Sequence, residues 1–201
     1  MCSVLPDGSF FLIRIIEEVM MVKNFIRQRR WLSLLMATLF VVTAGVWMQV
    51  GSATENIGPQ IGNQAPDFTL NTPAAENINL YHLMKENQVT LVNFWGIWCP
   101  YCVDEIPEFV KFYQQYHHRQ VEVLAVNVGD NPKDVPPFAK KNKMIFPVVI
   151  DKSNTVNSRY QISGFPTTFI IDRQGKIRDI IIGATNSSIL AAKVEMVLKE
   201  K

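Results

Sequence analysis

The chain has 201 residues, a formal net charge of +2 and three cysteines. Residues 51–201 carry 15 Lys and Arg against 15 Asp and Glu, and this balance argues against nucleic acid as a partner. Cys2, Cys99 and Cys102 are too few for a disulfide scaffold, so the close pair must serve reactivity or metal binding. Behind an apolar N-terminal segment, the length leaves room for one soluble domain of roughly 140 to 150 residues.

The N-terminal part of the chain predicts a membrane anchor. Residues 31–50 form an uncharged, mostly apolar run that is long enough to cross a bilayer as a helix. Four basic residues lie between Lys23 and Arg30, which predicts that residues 1–30 stay in the cytoplasm and that the remainder lies outside. A signal peptide cleaved after Ala53 is the alternative.

Residues 1–20 do not fit a signal-anchor protein, because two adjacent glutamates stand where a basic segment belongs. A start at Met20 or Met21 would give a normal signal anchor. We therefore interpret residues 1–20 as a gene-model extension in which Cys2 has no function.

The exported part alternates strands and helices. Residues 51–64 are polar and rich in Gly and Asn, which predicts a tether, and the domain is expected to begin at Ala65. The predicted elements begin with a hairpin of residues 68–70 and 78–80, a strand over 89–95 and a helix over 100–117. A strand over 121–128, a helix over 132–143 capped by Asn131, a strand over 148–151 and a short helix over 154–160 follow. The chain is predicted to end with a hairpin of strands 167–171 and 177–182 and a closing helix from Ser187 or Ser188. This order predicts an α/β fold with a mixed central sheet flanked by helices and an N-terminal β-hairpin extension.

The sequence WCPYC at residues 98–102 places two thiols one helical turn apart, where a buried strand ends and a helix begins. At a helix N-terminus the free N–H groups and the macrodipole lower a cysteine pKa below its usual value of about 8.5, so Cys99 is the predicted exposed attacker. Cys102 lies one turn further in, where it can attack the mixed disulfide and release the substrate. The pattern predicts thiol–disulfide exchange in which the Cys99–Cys102 disulfide is the redox centre and no further cofactor is needed.

Metal binding by the same two thiols is the alternative from a different functional class. A zinc site needs four ligands, and the chain has no second cysteine pair. His117 and His118 could complete such a site only if the helix unwound. We assign no metal ligand, and a copper or zinc carrier stays open as a hypothesis.

Four segments stand out by their order and spacing: APDFTL at 65–70, VNFWGIWCPYC at 92–102, Glu105 with Pro107, and GFPTTFIID at 164–172. Together they resemble the TlpA/ResA-like membrane-anchored thiol-disulfide oxidoreductases of the thioredoxin superfamily. The resemblance covers about residues 60–200 and implies a thioredoxin-like fold.

The resemblance also implies roles for single residues. Cys99 corresponds to the nucleophile, Cys102 to the resolving thiol and Trp98 to the flanking aromatic side chain. Pro166 corresponds to a cis-proline that faces the dithiol and turns the backbone of Phe165 toward a bound substrate strand.

Two positions depart from the pattern of the family or of its cytoplasmic relatives. The dipeptide Pro100-Tyr101, which we place among the substrate-binding residues, is the one expected of glutaredoxins, so the resemblance does not fix the redox potential. Asn93 replaces the acid of cytoplasmic thioredoxins and cannot ionise. We therefore assign the proton of Cys102 to Glu105, three residues further along the same helix face, against the alternative of a solvated surface glutamate.

The sequence predicts an extracytoplasmic thiol-disulfide oxidoreductase on the cytoplasmic membrane. The leading hypothesis is a reductase for disulfides of exported proteins, as the family provides for apocytochrome c during cytochrome c maturation, with electrons from a membrane thiol-electron transporter. A disulfide oxidase or isomerase is the alternative, since potentials of this fold run from about −270 to about −120 mV. We expect a monomer held to the membrane by its N-terminal helix, with no nucleic acid bound.

Overall fold

The structure is a computed structural model that describes residues 56–200. The predicted anchor at residues 31–50, the interpretation of residues 1–20, and Cys2 all lie outside the described residues. Within residues 56–200 there is no helix both long and apolar enough to cross a membrane.

One mixed sheet of seven strands forms the centre of the described domain. The strands are β1 (Thr69–Asn71), β2 (Asn77–Asn79), β3 (Val89–Trp95), β4 (Val121–Val128), β5 (Val148–Asp151), β6 (Thr167–Asp172) and β7 (Ile177–Ile182). Their order across the sheet is β2-β1-β5-β4-β3-β6-β7. The β3/β4 and β4/β5 pairs are parallel and the other neighbours are antiparallel, so the predicted mixed sheet with its N-terminal hairpin is confirmed.

Helices cover both faces of this sheet. They are α1 (Leu80–Glu86), α2 (Pro100–Tyr116), α3 (Val135–Lys141), α4 (Thr155–Arg159) and α5 (Ser187–Lys199), and a 3₁₀ turn over His117–Arg119 follows α2. Side chains of β3 alternate between the faces. Leu91 and Trp95 join the core under α2, α3 and α5, whereas Val92 and Phe94 join the core under α1 and α4. Asn93 therefore points toward α2.

Strand direction brings three loops to one edge of the sheet. Because β4 is parallel to β3, with Trp95 opposite Asn127, both strands end at this edge. Because β6 is antiparallel to β3, with Phe94 opposite Thr167, β6 begins there. The start of α2, the loop after β4 and the loop before β6 consequently meet at one place.

The helical elements differ from the sequence prediction in two places. Residue 80, predicted to end a strand, opens α1, because the Asn79 side chain caps the helix by accepting a bond from the His82 N–H at 3.0 Å. The helix predicted over 132–143 begins only at Val135, and the Asn131 side chain accepts from the Lys133 N–H in a turn instead of capping a helix. Two prolines follow residue 135 directly, and proline lacks the N–H that a helix interior requires.

The segment from residue 56 to residue 64 belongs to the domain and is not part of a free tether. The Gly62 N–H donates to the Ile177 carbonyl at 2.8 Å, and the Ile177 N–H donates to the Asn63 carbonyl at 2.9 Å. These bonds satisfy backbone groups at the edge of β7 that the sheet leaves unpaired. The domain therefore extends at least nine residues before the start predicted at Ala65.

Candidate active site

Cys99 and Cys102 form a disulfide at the N-terminus of α2, with their Cα atoms 5.3 Å apart. Cys99 is the N-cap residue, and its Sγ accepts from the Cys102 N–H at 3.3 Å. Pro100 occupies the first turn, where its missing N–H costs no hydrogen bond. The Cys102 N–H and the positive end of the helix dipole therefore lie beside the position where a Cys99 thiolate forms.

Both sulfur-bearing residues are buried in this oxidised form. Cys102 is 0% exposed and Cys99 is 5% exposed. The prediction that Cys99 is exposed is therefore wrong for the oxidised protein. Cys99 is nevertheless the more accessible of the two cysteines. The reason for the burial is packing, because Cys99 belongs to an apolar cluster that includes Ile106 and against which Phe165 packs.

Aromatic side chains flank the disulfide on the surface. Trp98 and Tyr101 are 54% and 68% exposed, and the Trp98 ring meets the half-buried Phe165 ring edge to face with centroids 5.0 Å apart. The Phe165–Pro166 peptide bond is cis, as the sequence predicts. Of the predicted substrate-binding residues, Trp98, Pro100 and Tyr101 are therefore exposed next to the cysteines in the chain, and Phe165 packs against the cluster that contains both cysteines.

Glu105 is a buried acid held at both oxygens. It is 3% exposed, so the alternative of a solvated surface glutamate is wrong. Asn93 Nδ2 donates to Oε1 at 2.9 Å, and the Thr185 N–H donates to Oε2 at 3.0 Å. Asn93 Nδ2 also donates to Thr168 Oγ1 at 3.0 Å, which fixes the amide between the acid and β6.

Burial raises the pKa of Glu105 from 4.5 to about 7, and the hydrogen bonds from Asn93 and Thr185 oppose this rise in part. Glu105 can therefore gain or lose a proton near neutral pH. It lies on α2 three residues after Cys102, a spacing that puts two side chains on one helix face. A group that can bind a proton near neutral pH is therefore placed one helical turn from the buried Cys102.

Three residues of the site escaped the sequence analysis. Thr168 and Thr185 hold the Asn93–Glu105 pair, and Asp130 accepts a hydrogen bond from the backbone just before Trp98. Asp130 lies two residues after the end of a buried parallel strand, and the ends of such strands are where functional groups gather in α/β folds. That signal could have identified Asp130, whereas no local pattern marks Thr185.

Residues 56–200 hold no cluster of three or more His, Cys, Asp or Glu suited to a metal ion. His117 follows the C-terminal end of α2, and its Nδ1 lies 3.8 Å from Glu122 Oε2. Cys99 caps the opposite end of the same helix, and so this histidine and the disulfide are well separated.

A disulfide at a helix N-terminus beside a cis-proline, on an α/β sheet of this topology, defines a thioredoxin-fold thiol-disulfide oxidoreductase. The sequence of residues 61–180 matches the model of the AhpC/TSA family. The chain belongs to this family. It is 32% identical over 171 residues to the thiol-disulfide oxidoreductase ResA of Geobacillus thermodenitrificans, covering 85% of this chain and 97% of that protein. The thioredoxin-like protein YneN of Bacillus subtilis is 31% identical, with 84% and 98% covered.

Solved structures agree with this assignment. A putative thiol:disulfide interchange protein DsbE from Chlorobium tepidum superposes with a TM-score of 0.64 at 27% identity, covering 69% of this chain and 98% of that one. StoA from Bacillus subtilis gives a TM-score of 0.56 at 30% identity, with 64% and 96% covered. The protein is a thiol-disulfide oxidoreductase of the ResA/StoA type that uses Cys99 and Cys102.

Proposed function

We propose that this protein is a membrane-anchored, extracytoplasmic reductase of disulfides in exported proteins, with apocytochrome c as the substrate class that the TlpA/ResA-like resemblance implies. The observation that carries the proposal is a buried acid, Glu105, one helical turn beyond the buried Cys102. A buried resolving thiol must lose its proton before it can release a reduced substrate. The site supplies a group whose pKa suits that transfer.

The reaction starts from the dithiol. The Cys99 thiolate attacks one sulfur of a substrate disulfide, a new S–S bond joins Cys99 to the substrate, and the other substrate sulfur leaves as a thiolate that takes up a proton. Cys102 then gives its proton to Glu105, and its thiolate attacks the Cys99 sulfur. The bond between Cys99 and the substrate breaks, and the second substrate sulfur leaves as a thiolate that takes this proton from Glu105. The substrate leaves with two electrons and two protons gained, and the protein is left with the Cys99–Cys102 disulfide.

A substrate peptide would lie against the aromatic side of the site. Trp98, Tyr101 and Phe165 offer apolar contact area for the peptide. Pro100 starts the helix between the two cysteines. Pro166 follows the backbone of Phe165, which would face the peptide. Return to the dithiol needs two electrons, which we assign to the dithiol of a membrane thiol-electron transporter. The anchor at residues 31–50 would keep the domain near that donor, and we expect it to act as a monomer.

A redox titration of the Cys99–Cys102 pair against glutathione or dithiothreitol buffers tests this function. The reductase proposal predicts a midpoint potential below about −150 mV, in the range of thioredoxin-like reductants. A higher value would contradict it and favour the disulfide oxidase or isomerase. Metal analysis of protein purified from its host addresses the carrier alternative, for which stoichiometric copper or zinc on the two thiols would be required.

A further inference from the structure

The backbone just before the attacking cysteine forms a tight turn. In residues 96–99 the Cys99 N–H donates to the Gly96 carbonyl at 3.2 Å, and Ile97 and Trp98 are the two central residues. A turn of this kind has no regular ladder to hold it, because it joins the end of β3 to the start of α2. Its geometry decides where the Cys99 sulfur lies relative to the helix N-terminus.

Two hydrogen bonds fasten this turn to the end of β4 and to the loop that follows it. The Ile97 N–H donates to Asp130 Oδ2 at 2.7 Å. The Trp98 Nε1–H donates to the Val128 carbonyl at 2.8 Å. Both central residues of the turn are therefore bound to residues 128–130, and the first bond is the stronger kind because its acceptor is a carboxylate.

Asp130 is itself fixed by the end of β4. Asn127 is 0% exposed and lies opposite Trp95 in the β3/β4 pair. Its Nδ2 donates to the same Oδ2 atom of Asp130 at 2.7 Å. One carboxylate oxygen thus joins a buried side chain of β4 to the backbone of the active-site turn.

Two glycines leave space for this attachment. A Cβ at Gly96 would lie 2.6 Å from Trp98 Cε2, well inside contact distance. Gly129 adopts a φ of +81°, which only glycine takes readily, and a Cβ there would lie 3.4 Å from Trp98 Nε1. The indole therefore lies close to the backbone at Gly96 and within reach of the loop at Gly129.

We propose that Asp130 is a positioning residue for thiol–disulfide exchange, holding the turn of residues 96–99 so that Cys99 Sγ stays at the N-terminus of α2. Reacting atoms must be held in a productive geometry, and a displacement of about 1 Å can cost ~100-fold in rate. Asp130 acts through Ile97 and Cys99 and has no contact with the substrate in this role. The inference rests on the exchange chemistry that the reductase and oxidase directions share.

A role of Asp130 in positioning the turn and a role through its negative charge predict opposite shifts in the pH at which Cys99 reacts. If Asp130 acted through its charge, it would disfavour the Cys99 thiolate, and removing the charge would make Cys99 reactive at lower pH. If Asp130 holds the turn, losing it moves Cys99 away from the helix N-terminus and makes it reactive only at higher pH. The pH profile of Cys99 therefore distinguishes the two roles.

Two variants of Asp130 separate them further. Asp130→Asn removes the charge, but its one amide oxygen can still accept from both the Ile97 N–H and Asn127 Nδ2, because both bonds end on Oδ2. Asp130→Ala removes charge and acceptor together. Asp134→Ala is the matched control, since Asp134 lies in the same loop, is exposed and makes no cap bond with its side chain.

The measurement is the rate at which the reduced full-length protein, in a Cys2→Ser background, reduces an aryl disulfide that releases a coloured thiolate. A parallel series records the pH profile of Cys99 alkylation by iodoacetamide. We expect Asp130→Ala to slow exchange by about tenfold to ~100-fold and to move the alkylation profile to higher pH. We expect Asp130→Asn and Asp134→Ala to stay within about twofold of the unsubstituted protein.

Equal rates for Asp130→Ala and the unsubstituted protein would overturn the proposal. An Asp130→Asn variant as slow as Asp130→Ala, or a shift of the alkylation profile to lower pH in both, would overturn it in favour of a charge effect. The outcome is independent of the redox titration, because a rate with an aryl disulfide does not measure the midpoint potential. Failure of the reductase proposal would therefore not affect the proposed role of Asp130. Failure of the Asp130 proposal would likewise not affect the reductase proposal.

Discussion

At the scale of single residues, the amide of Asn93 can serve Glu105 in both of its protonation states. With Glu105 ionised, Asn93 Nδ2 donates to the carboxylate and to Thr168 Oγ1. If the amide turns over, its Oδ1 can accept from a protonated Glu105 and from the Thr168 hydroxyl, whose hydrogen rotates freely. An aspartate at position 93 could not do this, because two adjacent carboxylates disfavour joint ionisation.

The same property makes Glu105→Gln a clean test of proton transfer. The amide of the new side chain can donate to a turned Asn93 while its oxygen accepts from the Thr185 N–H, so the fold should be kept. Loss of the proton acceptor should slow the resolving step by about 100-fold and remove the dependence on a group with a pKa of about 7. Single-turnover release of substrate from the mixed disulfide, followed across pH, gives both the rate of the resolving step and its dependence on pH.

A neighbouring acid on the same helix provides the control for that experiment. Asp104 is exposed and precedes Glu105 directly, so Asp104→Asn removes one carboxylate from the same turn without touching the buried network. Its rates should match those of the unsubstituted protein. An unchanged pH–rate profile in Glu105→Gln, or an equal loss in Asp104→Asn, would remove Glu105 from the mechanism.

At the scale of elements, the strands were easier to predict than the short helices. The bounds of β3 and β4 follow directly from continuous runs of apolar strand-forming residues, which occur where both faces of a strand are buried. The helix α1 has only seven residues and no clear apolar stripe, so its start depends on one capping bond from Asn79. Residues 56–64 read as a tether because their partner, Ile177, lies more than 100 positions away in the sequence.

Some features of the candidate site depend on short motifs, and others depend on contacts between segments that are far apart in the sequence. The cysteine pair, the helix start and Pro166 lie in short motifs, and their positions could be predicted. The acceptor bonds of Glu105 and Asp130 join segments 80 and 33 residues apart, which only the folded topology brings together. A single sequence carries no signal for such pairs beyond the residue types themselves.

The turn before α2 makes a stability prediction at this scale. Gly96→Ala places a methyl group against the Trp98 indole, which is held by Val128 and cannot retreat without losing its hydrogen bond. We expect a loss of about 1 to 3 kcal/mol in the free energy of unfolding, as for other overpacked sites. Guanidinium denaturation of the oxidised protein measures it.

Gly164→Ala is the matched control for this substitution, because its new methyl group would meet only Ile182 Cγ2 at an ordinary 3.6 Å. Its free energy of unfolding should fall by less than that of Gly96→Ala. Equal stabilities for the two variants would show that the indole is free to move.

At the scale of the whole molecule, Glu105 should make stability depend on pH. Its pKa is about 7 in the folded oxidised protein against 4.5 as the ordinary value, so the folded state binds more protons between these values. The contribution is fully present below pH 4.5 and is lost as pH rises through 7. The free energy of unfolding, relative to Glu105→Gln, should therefore fall by about 3 kcal/mol from pH 4.5 to pH 8.

Denaturant titrations of both oxidised proteins at each pH check this expectation. The difference between the two free energies of unfolding cancels the contributions of other titrating groups. One such group is Glu122, whose pKa is also raised by burial. A difference that stays constant over this range would mean that Glu105 does not take up a proton on folding.

If Cys99 attacks the substrate and Cys102 resolves the mixed disulfide, the two cysteine variants should differ in what they trap in the native host. Cys102→Ser and Cys99→Ser variants of the full chain are expressed in parallel, and mixed disulfides are separated on non-reducing gels after acid quenching. We expect Cys102→Ser to accumulate covalent complexes with exported proteins, because nothing releases the substrate from Cys99, and Cys99→Ser to accumulate none. Equal trapping by both variants, or trapping by Cys99→Ser alone, would contradict it.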